Sequence, residues 1–226
     1  MKSNEVLQKE VQDAIKWEPL LNAAEIGVTV KDGVVSLTGT VDSYYKKSEA
    51  EDAAKKVAGV KAVVEKIEIN SGDTGKTSDS DIATEVLNAF KWNWEIPGDK
   101  VKVKVEDGWV TLEGNLNWNY QREAAKKTAG KCTGVKGVTN NIRIESEKKG
   151  EIEKKDIINA LGRSWSMKDQ DIEVNVSGHK VTLNGEVDSL YQKDEAGRIA
   201  WKSPGVWNLD NELKIDYTNK LLDIIM

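Results

Sequence analysis

The sequence predicts an α+β chain of three tandem α-β-β-α-β modules, each a three-stranded mixed sheet with two helices on one face. Two observations predict it: an internal repeat that holds several registers at once, and a switch of apolar periodicity within each copy between helical and strand spacing. Glycines in a Val-x-Leu-x-Gly pattern recur as Gly39, Gly114 and Gly185, 75 and 71 residues apart. Each is followed 20 residues later by Gly-Val, at Gly59-Val60, Gly134-Val135 and Gly205-Val206, and six residues later by Tyr45, Tyr120 and Tyr191. Chance does not keep three such registers. The copies fall at residues 1–70, 79–146 and 151–216, with a C-terminal tail at 217–226.

The first element of each copy is a helix, because apolar residues recur on one face: Leu7, Val11, Ala14 and Ile15, then Ile82, Val86, Ala89 and Phe90, then Ile157, Ile158, Leu161 and Trp165. Trp17 and Trp92 follow this stripe and are expected in the core. Ser78, three residues before Asp81, is an N-cap candidate with an acidic first turn to meet the helix dipole. The runs Ile26-Val28-Val30, Val101-Val103-Val105 and Ile172-Val174-Val176 alternate with a period of two and read as first strands. Asp32-Gly33, Asp107-Gly108 and Ser177-Gly178 supply hairpin turns, the third expected to be one residue longer. The second strands bury Val35, Leu37 and Val41, with Val110, Leu112 and Leu116, then Val181, Leu183 and Val187, as equivalents. Gly39, Gly114 and Gly185 interrupt those rows, where a helix backbone or the repeated tyrosine is expected to approach the sheet.

Alanine-rich second helices follow, through Ala50, Ala53 and Ala54, Ala125 and Ala129, and Ala196 and Ala200. Each stops at a Gly-Val pair suited to a left-handed cap. The last strands hold Val63, Val64, Ile67 and Ile69; Val138, Ile142 and Ile144; and Trp207, Leu209, Leu213 and Ile215. About 20 residues separate second and third strands, enough for a right-handed parallel crossover. Polar linkers join the copies at residues 71–77 and 145–150. Units of this size are marginal alone, so the copies are expected to touch.

At this point the pattern resembles the BON domain family of bacterial envelope and osmotic-stress proteins, over about 200 of the 226 residues. The matching stretch in the first copy runs Val30-Lys31-Asp32-Gly33-Val34-Val35-Ser36-Leu37-Thr38-Gly39-Thr40-Val41, then Gly59-Val60. The second copy reads Asp107-Gly108-Trp109-Val110-Thr111-Leu112-Glu113-Gly114, then Gly134-Val135; the third departs at Ser177. The resemblance implies a non-enzymatic module that binds phospholipid surfaces, often in pairs and in the periplasm.

Composition excludes several chemistries. The formal charge of −5, from 33 Lys+Arg against 38 Asp+Glu, argues against wrapping nucleic acid, which needs a basic footprint. One cysteine, Cys132, and one histidine, His179, preclude an intramolecular disulfide and make a hydrolase triad or a His-based metal site hard to build. Glycine-rich phosphate and dinucleotide patterns are absent. No enzyme activity, cofactor or metal is expected. The N-terminus lacks the apolar core of a signal peptide, which points to the cytoplasm, or to the periplasm for a chain whose export signal was removed.

Tryptophan is abundant, at eight residues. Trp109 alternates with buried Val110 and Leu112, so it should project from the outer side of its sheet beside Lys102 and Lys104. An indole flanked by lysines suits an anionic lipid headgroup, and these three residues are the candidate ligand site. The same face could instead pack on another copy, with Trp109 as the anchor. Two functions stay open: peripheral association with anionic phospholipid surfaces under osmotic or envelope stress, or a stress-linked scaffold with protein partners. The oligomeric state is open too. The apolar run Leu221-Leu222-Asp223-Ile224-Ile225-Met226 is too short to span a bilayer and is expected to dock on the third copy or a symmetry partner.

Overall fold

The computed structural model describes residues 2–70, 77–145, 152–167 and 170–216. The first copy comprises α1 (Asn4–Lys16), β1 (Ile26–Lys31), β2 (Val34–Val41), α2 (Tyr44–Lys55) and β3 (Ala62–Ile69). The second comprises α3 (Asp79–Trp92), β4 (Val101–Glu106), β5 (Trp109–Leu116), α4 (Asn119–Gly130) and β6 (Gly137–Ile144). The third comprises α5 (Lys154–Arg163), β7 (Ile172–Ser177), β8 (Lys180–Val187) and α6 (Leu190–Trp201), with a last strand split into β9 (Asn208–Asn211) and β10 (Lys214–Ile215). In each sheet the second strand is central, antiparallel to the first and parallel to the last.

Each copy has its own core where the helices meet one sheet face. In the second, Ile82, Val86 and Phe90 of α3 and Ala125 and Ala129 of α4 close on Val110, Leu112, Leu116 and Ile142. Alanines let α4 lie close to the strands, so burial is dense despite small side chains. Ser78 caps α3 through a full capping box with Asp81. The same helix end holds the hairpin: the Asp79 carboxylate accepts 2.8 Å hydrogen bonds from the backbone N–H groups of Asp107 and Gly108, as Asn4 Oδ1 accepts from Asp32 N–H at 3.0 Å.

The structure corrects two sequence expectations and decides two that the sequence leaves open. Trp17 and Trp92 are 84% and 89% exposed. They stand two residues beyond Ile15 and Phe90, about 200° around the helix from the buried stripe. The third hairpin is not longer: Ser177 pairs with Lys180 as Lys31 pairs with Val34, leaving two turn residues in each. Asp32-Gly33 and Asp107-Gly108 both take positive φ, the type I′ pattern, whereas in the third turn only Gly178 does, at 59°. The turn type changes while the register survives.

Third, what approaches Gly39, Gly114 and Gly185 is the carbonyl just before the first strand and not the repeated tyrosine; Glu25 and Lys100 each end a short 3-10 helix, Ala23–Glu25 and Gly98–Lys100. A Cβ there would stand 2.0 to 2.2 Å from the carbonyl oxygens of Glu25, Lys100 and Asp171. Fourth, among the described residues the outer sheet face of the second copy carries no neighbouring copy, as the lysine–tryptophan site requires. Lys102, Lys104, Glu113, Thr139 and Asn141 are all exposed. The apolar tail at 217–226, and most of both linkers, lie outside the described residues.

The copies meet through their second helices. Tyr44, at the start of α2, packs on the second copy's core beside Gly130, the last residue of α4. Trp201, the last residue of α6, packs on the cores of both the second and third copies. Leu190, at the start of α6, packs on the first copy's core. Under the repeat offsets Tyr44, Asn119 and Leu190 are equivalent, as are Lys55, Gly130 and Trp201. The three junctions are therefore one head-to-tail contact made three times. Such contacts close into a ring with pseudo-threefold symmetry.

Candidate functional site

Lys102, Lys104 and Trp109 share the outer face of the second sheet, as their alternation requires. Their immediate neighbours are acidic. Lys102 stands opposite Glu113 and Trp109 opposite Glu106, while Lys104 makes a 3.0 Å ion pair with Glu106. Trp109 is 56% exposed and lies over its other cross-strand partner, Gly137, where a Cβ would fall 2.2 Å from the indole. The ring thus covers a glycine gap in its own sheet and presents its other side to solvent.

A second group of aromatics is more exposed. Trp17, Trp92, Trp94 and Trp165 are 84 to 90% accessible, and all lie where the first helix of a copy ends. Trp17 and Trp92 are equivalent under the repeat, and so are Trp94 and Trp165. Each copy places a base in the last turn of that helix: Lys16, Lys91 and Arg163. These cations complement the helix C-terminus and stand within three residues of an indole. Sequence reasoning assigned Trp17 and Trp92 to the core. The available signal was their angular offset from the buried stripe.

The junctions carry charge as well as apolar packing. Lys127 of α4 and Lys131, just past its end, sit 5.9 and 4.9 Å from the Tyr45 ring centroid, and Arg122 lies 4.6 Å over Trp201. Burial raises the carboxyls of Asp52 and Asp194 above the ordinary aspartate range, against the pull of Lys55. Burial works against the Lys55 charge, but Glu51, Asp52 and Asp194 outweigh it and hold the amine above its usual value. The repeated tyrosines belong to this region too: Tyr45 lies under Lys127 and Lys131, and Tyr120 lines the cleft between α4 and α6. That cleft has a volume of about 750 Å3 and is walled by Trp118, Ala124 and Trp201.

The nucleophile and metal chemistries offer little. Cys132 is buried, its thiol pushed up to about 11 by burial and by Glu85. A thiolate is the reactive form, so this residue is inert near neutral pH. His179 stacks on Trp207 with centroids 3.6 Å apart and places Nδ1 2.9 Å from the Gly205 carbonyl oxygen. Those contacts hold the third hairpin against the following loop. Among the described residues no group of three His, Cys, Asp or Glu side chains could hold a metal, and no helix is long and apolar enough to cross a membrane.

Comparison with known proteins bears on all three copies. Among curated proteins, the chain is 28% identical over 140 residues to osmotically-inducible protein Y of Escherichia coli strain K12, covering 60% of this chain and 70% of that one. Two solved structures of CdsD, a structural protein of the type III secretion system of Chlamydia trachomatis, also match. They do so at 16% and 17% identity over 95% and 98% of this chain, and 98% of theirs. Their TM-scores are 0.25 and 0.26, too low to bear on how the modules are arranged. The family model for the BON domain matches three times, at residues 3–71, 78–146 and 152–217, so the chain belongs to the BON domain family as a tandem of three.

Proposed function

We propose that this chain is a non-enzymatic protein of the osmotic-stress response that associates peripherally with anionic phospholipid surfaces. The link to osmotic stress rests on the relative named for osmotic induction. The observation that carries the surface reading is the set of four unpartnered indoles, Trp17, Trp92, Trp94 and Trp165, each near a Lys or Arg at the end of a first helix. Exposed tryptophan is costly in water and favoured at a membrane interface, where ring and N–H are both satisfied. The repeat places Trp17 and Trp92, and Trp94 and Trp165, at equivalent points of their modules, so every copy carries an indole and a base at the same helix end. Each basic residue near an anionic surface adds about 1 kcal/mol. The group Lys102, Lys104 and Trp109 is a weaker contact of the same kind, because Glu106 and Glu113 offset its lysines.

Flotation with vesicles of phosphatidylglycerol and phosphatidylcholine, against phosphatidylcholine alone, tests this reading. The chain should float with the anionic vesicles at low salt, and less at high salt. Replacing the four tryptophans by serine should cut the bound fraction at least tenfold with the thermal melt unchanged. Flotation with neither vesicle, or undiminished flotation of the fourfold variant, overturns it.

A further inference from the structure

The three junctions act as internal controls for one another. At the first, Tyr44 fills the space left by Gly130: a Cβ on that glycine would lie 3.1 Å from the tyrosine ring. At the third, Leu190 packs directly into the first copy's core. At the second, the repeat places Asn119 where the others have Tyr44 and Leu190, and here a cleft of about 750 Å3 remains between α4 and α6. Its walls are Trp118, Tyr120, Ala124 and Trp201. Asn119 is 91% buried and its Oδ1 has no hydrogen-bond partner.

An unpartnered buried amide oxygen costs about 1 to 3 kcal/mol, and the leucine of the third copy would avoid that cost. An apolar cleft of this size with charged groups at its rim has the form of a small-molecule site. Its rim fixes the sign of the ligand. Lys127, Arg198 and Lys202 face Glu95 and Glu123. Arg198 is engaged by Glu195, and Glu123 lies 3.5 Å from Arg122, which leaves two lysines against one carboxylate.

We propose that the α4–α6 cleft binds a small anionic amphiphile, whose apolar body lies between Trp118 and Trp201 and whose acid group meets Lys127 and Lys202. The site is distinct from the exposed tryptophans and does not rest on the membrane reading. Anilinonaphthalene sulfonate supplies both features and brightens in an apolar site. Titrated into the full-length chain without vesicles, it should saturate at one equivalent. Asn119→Leu, which installs the residue of the third copy, should bind at least tenfold more weakly while melting at the same or a higher temperature. Ala124→Phe, which fills the cleft, should also lose at least tenfold, and Lys202→Glu at least threefold. Wild-type affinity in Asn119→Leu or Ala124→Phe, or binding that never saturates, refutes the site. If Ala124→Phe lowers the melt, the Asn119→Leu titration decides alone.

Discussion

Gly114→Ala should be among the most damaging single-methyl additions to this chain, and Gly178→Ala among the milder ones at a positive φ. At Gly114, with φ 144°, a Cβ would stand 2.1 Å from the Lys100 carbonyl oxygen. That carbonyl must retreat by about 0.9 Å to reach even 3.0 Å, the shortest separation real Cβ atoms tolerate. The residue sits at the end of the β4–β5 ladder, opposite Val101, which is itself part of the core. The sparsely populated backbone region costs about 1 to 3 kcal/mol for alanine. Parting the strand end loses one or two backbone hydrogen bonds at about 0.5 to 1.5 kcal/mol each. Together these amount to about 1.5 to 6 kcal/mol, much of the stability of a module of this size. At Gly178, φ is 59° and nothing lies within 4 Å of a built Cβ, so only the left-handed penalty of about 1 to 2 kcal/mol applies.

Urea unfolding followed by tryptophan fluorescence measures both, and amide exchange read by mass spectrometry identifies which module loosens. The expected result is a larger loss for Gly114→Ala, with exchange accelerated first in β4 and β5. Gly39→Ala and Gly185→Ala should behave likewise in their own modules, since Glu25 and Asp171 crowd them equally. A Gly114→Ala variant no less stable than Gly178→Ala would refute the reasoning from close carbonyl approach.

Two further outcomes follow from the junctions and the buried thiol. Arg122→Ala removes the guanidinium 4.6 Å over Trp201 and should lower the stability of the second and third modules by about 1 kcal/mol, with no change in the exchange of β1 and β2. Differential scanning calorimetry paired with amide exchange reads this. The Cys132 thiol, raised to about 11 in the folded chain from the ordinary 9, makes the folded state hold its proton more tightly than the unfolded state does. Its contribution is therefore fully present below pH 9 and is lost as the pH rises from 9 towards 11. Alkylation with iodoacetamide at pH 8 should be slow in the native chain and fast in urea; equal rates would place the thiol in solvent.

The element order and most of the inward faces were legible in the chain, because periodicity and turn chemistry are local properties. Leu7, Val11 and Ile15 name a buried helix stripe without any knowledge of what covers it, and Asp107-Gly108 names a hairpin because few residues accept positive φ. The Trp109 side chain was also placed correctly on the outer sheet face, from strand alternation alone. The charges around it were less legible: Glu113 faces Lys102 across the strand pair, and Glu106, two residues along the same strand, pairs with Lys104.

Only the tertiary structure decided what the aromatic residues do. Trp17 and Trp201 both end helices in sequence, yet Trp17 stands in solvent while Trp201 joins two cores. The difference arises from the closure of three modules into a ring, which depends on contacts between residues more than 70 positions apart. Asn119 makes the same point. In the sequence it is one polar residue at the start of a helix; in the ring it occupies a place filled by tyrosine and leucine at the other two junctions. Packing around it leaves a cleft and an unanswered carbonyl oxygen, and neither exists until the third copy closes against the second.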